Sequence, residues 1–489
     1  MEAYKLTVHE AADLIKKKRV TSYELTQAVL NRIEQVEQDV KAFITLTDSS
    51  ALEEAQNTDA LINQDENISD IAGIPFGLED NICTAGIKTT CASKMLENFV
   101  PQYEAAVSGK LRESKGILLG KLNMDEFSLG VATETSYFHK SRNPWDINRD
   151  IGSFCGGAAA SVAADEVFYS LAADTGGSLR RSAALCGVVG LKPSYGMVSR
   201  YGVILSASSL AQVGVIAKDV RDCAIILKAI SGHDVRDPMT VQTNFNDGMT
   251  ADEPGIKGMR IGIPREYLDS YMDEHVAEAV RNALKVFEDL GATIEEISLP
   301  GVVYAPAAYS IILSAEASSN LGRYDGIKFG YKAEGLQDLD EMYKKSRSQG
   351  FGDQVKLRIM LGNHVLSADN YERYYLKALK TRTIIKQEFE KAFEKYDIII
   401  SPTCAATGSK SNQNDDESLN AFLTDIYTAP ASVIGLPAMS IPCGFDNNGF
   451  PIGIQLIGRS FEEGTLLKAA LGFEQNTDYH IKRPVINWR

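Results

Sequence analysis

The sequence predicts a layered α/β fold. Two kinds of segment alternate along most of the 489 residues. Short apolar runs bounded by glycine and proline read as buried strands. Longer stretches with an apolar residue every three or four positions read as helices. Composition agrees: 44% hydrophobic and 24% charged residues are ordinary for a globular protein and exclude a wholly disordered chain. At roughly 100–200 residues per domain, the length suits two to four domains or one large α/β domain.

The first element starts with a hydroxyl and a carboxylate three residues apart. Thr7-Val-His-Glu10 and Thr21-Ser-Tyr-Glu24 both fit the capping box, in which these groups satisfy free N–H groups of a first helical turn. Leu25, Val29, Ile33 and Val36 then recur at helical spacing. Residues 57–70 are polar and predict a loop. From Ile71 onward, strands are predicted at Ile117–Gly120, Phe168–Ala173, Met259–Ile263, Asp397–Ile400 and Gly453–Ile457. Helices are predicted at about 104–115, 157–165, 219–231, 275–290, 371–395 and 463–475. Strands mixed with helices in this way place the helices as layers on a sheet. The stretch 235–256 turns polar and is the candidate break within the fold, and 405–418 is a second polar loop. The expected division is an N-terminal helical segment, residues 1–70, packed on a single domain over residues 71–489.

Several functions are disfavoured. Fifty Lys and Arg against 65 Asp and Glu give a net charge of −15, so direct nonspecific nucleic-acid binding is not expected. No run approaches the roughly 18 apolar residues of a membrane helix, and no signal peptide is visible, so a cytoplasmic protein without membrane association is expected. Seven cysteines without a CxxC pair read as reduced thiols, neither a disulfide framework nor a zinc site. There is no GxxxxGK[ST] loop, no usable GxGxxG and no HExxH, so no cofactor and no metal are expected. The six histidines are scattered, and none supports a Ser-His-Asp triad.

The chemistry concentrates in two glycine-rich segments, Gly152-Ser-Phe-Cys-Gly-Gly-Ala158 and Asp174-Thr-Gly-Gly-Ser-Leu-Arg180. The second follows an apparent strand and precedes a helix. Backbone N–H groups of Thr175, Gly176 and Gly177 suit an oxyanion there, with Ser178 at the rim as the nucleophile. With Gly73-Ile-Pro-Phe-Gly-Leu-Glu-Asp-Asn81, Asn123-Met-Asp-Glu-Phe127, Arg142-Asn-Pro-Trp-Asp146 and Cys186-Gly-Val-Val-Gly-Leu-Lys-Pro193, these segments resemble the amidase signature family over nearly the whole chain. Within it the likeness is closest to the A subunits of glutamyl-tRNA(Gln) amidotransferase. Supporting segments include Thr89–Phe99, Tyr324-Asp-Gly-Ile327, Gly350-Phe-Gly-Asp353 and Gly435-Leu-Pro437.

The resemblance implies a fold and a chemistry. The fold is a large mixed β-sheet covered by helices on both faces. The chemistry is amide cleavage by a serine, a cis serine and a neutral buried lysine that together relay a proton. In the tRNA enzyme the amide is glutamine, and the ammonia passes to a partner. B- and C-type amidotransferase subunits are therefore the implied partners. The small ligand is an amino acid or amide, held at Tyr309, Arg358 and Asp425: a guanidinium pairs a carboxylate with two parallel hydrogen bonds, and an aspartate pairs an ammonium.

The chain departs from the family pattern at two of three catalytic positions. Ser178 matches. Glu79 stands at the lysine position and Phe154 at the cis-serine position. Ile151, Ala158, Arg181 and Ser182 also replace the usual proline, serine, glutamine and proline. A phenyl ring has no proton to pass. A carboxylate about 6 Å from an oxyanion repels it by roughly 2–3 kcal/mol at an effective dielectric near 20, around a hundredfold in rate. The expectation is therefore a divergent A-subunit paralogue that keeps the pocket but has little or no ordinary amidase turnover, acting in binding, assembly or altered acyl chemistry. Two alternatives stand beside it. One is an active glutaminase subunit supplying ammonia to Glu-tRNA(Gln) by a rearranged relay. The other is an amide-hydrolysing or amide-forming enzyme of specialised metabolism using Ser178 or Cys155. Cys155 reads as a buried structural thiol or a substitute nucleophile, and Glu79 as a lost position or a new carboxylate base.

Overall fold

Eleven strands form one mixed sheet among the described residues. They are β1 (Phe43–Leu46), β2 (Pro75–Glu79), β3 (Ile117–Leu122), β4 (Tyr169–Asp174), β5 (Val189–Lys192), β6 (Gln212–Ala217), β7 (Arg260–Pro264), β8 (Thr293–Ile297), β9 (Ile398–Pro402), β10 (Ala438–Phe445) and β11 (Pro451–Gly458). The computed structural model describes residues 2–64, 68–130, 134–149, 151, 155–243, 245, 255–268, 272–334, 338–408 and 425–486. The strand order is β1-β3-β2-β4-β6-β5-β10-β11-β9-β7-β8. β2 runs parallel to both β3 and β4, and β7 parallel to both β8 and β9; the other pairings are antiparallel.

The helices are α1 (Val8–Lys16), α2 (Ser22–Val40), α3 (Asp48–Ile62), α4 (Ala106–Glu113), α5 (Gly156–Ala163), α6 (Ser178–Cys186), α7 (Val220–Ile230), α8 (Glu274–Asp289), α9 (Ala305–Asn320), α10 (Leu339–Gly350), α11 (Asp353–Leu366), α12 (Lys377–Phe393), α13 (Ala429–Ile434) and α14 (Glu463–Gln475). None is long and apolar enough to cross a membrane. They cover both faces of the sheet, and β9 shows why. Side chains alternate across a strand: Ile398 and Ile400 join one hydrophobic cluster, with α1, α2, α7, α8 and α14, while Ile399 joins another, with α9, α11, α12 and α13. A sheet buried on both faces reads as apolar runs rather than as polar–apolar alternation.

Both predicted capping boxes are present, Thr7 with Glu10 and Thr21 with Glu24. The five predicted strands fall on β3, β4, β7, β9 and β11. Six strands escaped prediction. β2 contains a proline and a glycine, β10 carries Ser440, Pro442 and Gly444, and buried polar residues Lys192 and Gln212 interrupt the apolar texture of β5 and β6. The predicted loop at 57–70 gives way to α3 as far as Ile62, where Ala51, Ala55, Thr58 and Ile62 form the buried stripe. Within residues 2–64 the helices are joined by the edge strand β1, which pairs with β3. The helical stretch 371–395 opens with a π-helical turn, Tyr371–Leu376, before α12. Residues 244 and 246–254 of the polar break, and 409–418 of the second polar loop, lie outside the described residues.

Candidate active site

Two parallel neighbours, β2 and β4, end side by side. Leu78 pairs with Leu171, so Glu79, the last residue of β2, lies near the end of β4. β4 runs into the loop 175–177, and α6 then begins at Ser178. α5 starts just after Cys155. Two strand carboxyl ends and two helix N-termini therefore converge, which is where α/β sheets place their ligands and where aligned peptide dipoles favour negative charge.

The loop admits only glycine at two points. Gly177 has φ +119°, and a Cβ there would lie 2.0 Å from Thr428 Oγ1. A Cβ on Gly176 would lie 2.3 Å from Tyr309 Cζ. Asp174 holds the loop from within: its Oδ1 accepts the Gly177 N–H at 2.7 Å, so that donor is already engaged. Arg180, fully buried, donates to the same carboxylate at 2.9 and 3.1 Å. It also donates to Ser432 Oγ at 2.7 Å, to the Thr428 carbonyl at 3.2 Å, and to Gln455. Burial alone would raise the Asp174 pKa, but the Arg180 guanidinium outweighs it and holds the carboxyl below its ordinary value.

At the nucleophile position, Ser178 Oγ donates to the Ala173 carbonyl at 3.1 Å. Cys155 Sγ lies 3.3 Å from Ser178 Oγ and 3.2 Å from the same carbonyl. The Ala173 N–H donates to Glu79 Oε2 at 2.7 Å. One backbone residue thus ties Glu79, Cys155 and Ser178 into a single buried cluster. Glu79 Oε1 is buried without a hydrogen-bond partner. Burial pushes the Glu79 carboxyl up to about 7; the Ala173 N–H and the neighbouring Cys155 and Asn81 side chains hold it from going higher. Burial also pushes the Cys155 thiol well above its ordinary value, and the Glu79 charge adds to this. Phe154, the other replaced position, lies outside the described residues, as do Gly152 and Ser153.

Tyr309 on α9 packs over Gly176, and its buried hydroxyl has no hydrogen-bond partner. Arg358 on α11 donates to Ser310 Oγ on α9 at 2.9 Å. Asp425 precedes α13 and takes an ion pair from Arg181 Nη1. The phenol pKa of Tyr309 is raised first by burial and then by the Asp425 charge, while Arg181 and Arg358 act in the opposite sense. Tyr309 thus packs against the 175–178 loop, and the charges of Asp425, Arg181 and Arg358 are felt at its ring.

Three residues here were not singled out from the sequence. Lys121, within the run Ile117–Leu122, is fully buried, and its ammonium donates to the Ile82 carbonyl at 2.7 Å and to Thr89 Oγ1 at 2.8 Å, with Asp80 Oδ1 at 3.5 Å. A lysine inside an apolar strand was the available signal. Asp80 accepts from the Thr90 N–H at 2.9 Å, and Asn81 is buried with both amide atoms unpaired.

Comparison with known proteins gives a consistent answer. A family model described as Amidase matches residues 24–467. The A subunit of glutamyl-tRNA(Gln) amidotransferase from Moorella thermoacetica is 50% identical over 484 residues, 99% of this chain and 99% of that one. Its counterpart from Desulforamulus reducens is 50% identical over 489 residues, 99% of this chain and 100% of that one. The crystal structure of the Thermotoga maritima counterpart superposes with a TM-score of 0.82 at 38% identity, covering 100% of this chain and 98% of that chain.

These matches overturn the expectation of a divergent paralogue that has lost turnover. Half of all residues, over the full length, are shared with proteins named as amidotransferase subunits. That expectation treated Glu79 as a stray charge beside an isolated hydroxyl. In the folded chain the hydroxyl instead touches a thiol, and the carboxyl is tied to the same backbone residue.

Proposed function

The chain belongs to the amidase signature family, and from that premise we propose that it is the active, ammonia-releasing A subunit of a glutamyl-tRNA(Gln) amidotransferase. Glutamine is the amide, and B- and C-type subunits are its partners. The relatives at 50% identity support the assignment. One observation carries the mechanism: Cys155 Sγ lies 3.3 Å from the Ser178 hydroxyl, in the cluster that contains Glu79.

In this reading Ser178 is the nucleophile, Cys155 the relay and Glu79 the base. As Ser178 Oγ bonds to the amide carbon, its proton moves to Cys155 Sγ while the thiol proton moves to Glu79. The thiol stays neutral throughout, so its raised pKa is no obstacle to relaying, though it argues against a thiolate nucleophile. A carboxyl with a pKa of about 7 is suited to giving and taking a proton near neutral pH. Charge is moved and not doubled: the carboxylate becomes neutral as the oxyanion forms, which removes the repulsion expected from a fixed charge. The loop N–H groups of Thr175 and Gly176 and the N-terminus of α6 stabilise the oxyanion. When the C–N bond breaks, the proton returns through Cys155 to the departing ammonia, and water then hydrolyses the acyl-serine. Arg358 takes the glutamine carboxylate and Asp425 its ammonium, with Tyr309 between them.

The test is glutamine-dependent ammonia release and Glu-tRNA(Gln) amidation by the chain assembled with its B- and C-type partners. Release that disappears in Ser178→Ala is the expected result. Release untouched by Ser178→Ala, or no release from the assembled complex, overturns the reading.

A further inference from the structure

The peptide unit joining Gly176 to Gly177 is held at both ends. Its carbonyl accepts the Thr428 hydroxyl at 2.9 Å. Its N–H donates to Asp174 Oδ1 at 2.7 Å. In a planar trans peptide the carbonyl and the N–H point in opposite directions, so the two bonds together fix the plane between them. A peptide between two glycines otherwise turns over at little cost, because neither flanking residue carries a Cβ. Thr428 lies 252 positions from Gly176, just before α13, so this bond exists only in the folded chain.

The bond closes a circuit. The Thr428 carbonyl accepts both terminal nitrogens of Arg180 at 3.2 Å. Arg180 donates to Asp174 at 2.9 and 3.1 Å, and Asp174 returns to the loop through the Gly177 N–H. Ser432 braces the circuit, donating to Asp174 Oδ1 at 3.2 Å and accepting from Arg180 at 2.7 Å. Asp174, Arg180 and Thr428 are fully buried, so water does not compete for these bonds. Among the described residues, Asp174 has both Arg180 and Ser432 to hold it, whereas the Gly176 carbonyl relies on Thr428.

We propose that Thr428 is a positioning residue for amide cleavage: its hydroxyl pins the Gly176–Gly177 peptide and so keeps the 175–178 loop in the conformation that receives the oxyanion. The inference rests on the amide-cleaving reading and names a residue through which that site acts. Thr428 touches the loop and not the substrate, so its effect falls on the transition state. Thr428→Val keeps the shape of the side chain and removes the hydroxyl. It lowers kcat for glutamine by about 10–100-fold, the scale of one buried hydrogen bond, and moves KM by less than about threefold. Thr428→Ser keeps the hydroxyl and retains most of the native kcat.

The experiment measures ammonia release from glutamine by the assembled complex carrying the native chain, Thr428→Val or Thr428→Ser. Binding is read apart from turnover in a Ser178→Ala complex: adding Thr428→Val there leaves the calorimetric Kd for glutamine within about twofold of its value without it, as expected of a group that acts only in the transition state. That measurement also shows that the variant folds. A native kcat in Thr428→Val overturns the proposal, as does a Thr428→Ser no better than Thr428→Val. A Kd that weakens as far as kcat/KM falls assigns Thr428 to binding or folding and overturns it too. Absence of ammonia release from the native complex counts instead against the amide-cleaving reading.

Discussion

Cys155 and Ser178, 23 residues apart in sequence, meet at 3.3 Å between sulfur and hydroxyl oxygen, and both atoms also approach the Ala173 carbonyl. A hydroxyl so placed has a partner that both accepts and donates a proton.

If Cys155 carries the proton, Cys155→Ala lowers kcat for glutamine by about 10²–10⁴-fold, the range for a lost acid–base partner, with KM little changed. Cys155→Ser, which keeps a transferable proton, retains more activity than Cys155→Ala. Steady-state ammonia release on the assembled complex checks both. Equal loss in the two variants argues for a packing role instead.

If Glu79 is the base, it gives the reaction a pH signature. With its carboxyl raised to about 7, kcat/KM rises with pH through that value as the base ionises. Glu79→Gln abolishes this limb along with most activity. Stability moves the opposite way. The folded pKa lies above the unfolded one, so the native state holds the extra proton. Its contribution is complete below the unfolded value near 4.5 and is lost as pH rises to about 7, an effect of about 3 kcal/mol for a fully buried group. Urea titrations at pH 4.5 and 7.5 detect it: the native-minus-variant difference shrinks with pH, and a flat difference counts against a raised carboxyl.

The Asp174–Arg180 pair anchors the nucleophile loop. Arg180→Ala leaves a buried carboxylate uncompensated and costs roughly 3–5 kcal/mol, visible as a lower urea midpoint. Asp174 carries a depressed pKa, so its contribution is present at neutral pH and is lost as pH falls below the ordinary aspartate value. In the loop itself, Gly177→Ala meets both a positive φ and Thr428. Backbone strain of this kind costs of order 1–3 kcal/mol, and kcat falls more than KM rises. Unchanged kinetics in Gly177→Ala mean that the loop geometry does not support the oxyanion.

The local structure was legible in the chain. Asp174–Arg180 reads as strand, glycine loop and helix because its residue types permit little else, and the structure has β4, the loop and α6 there. The capping boxes were legible for the same reason: donor and acceptor lie three residues apart. The family motifs supplied the architecture and pointed to Ser178, and they flagged Glu79 and Arg181 as departures. What those departures do was not legible. Glu79 meets Ala173 across 94 positions, and Arg181 meets Asp425 across 244. Such distances close only when β2 lies parallel to β4 and when α13 settles against α6. Residue types and spacing thus determined which groups were available, and strand register and helix packing decided which of them touch. A carboxyl that looked like a repelling charge became, by its neighbours, a candidate base.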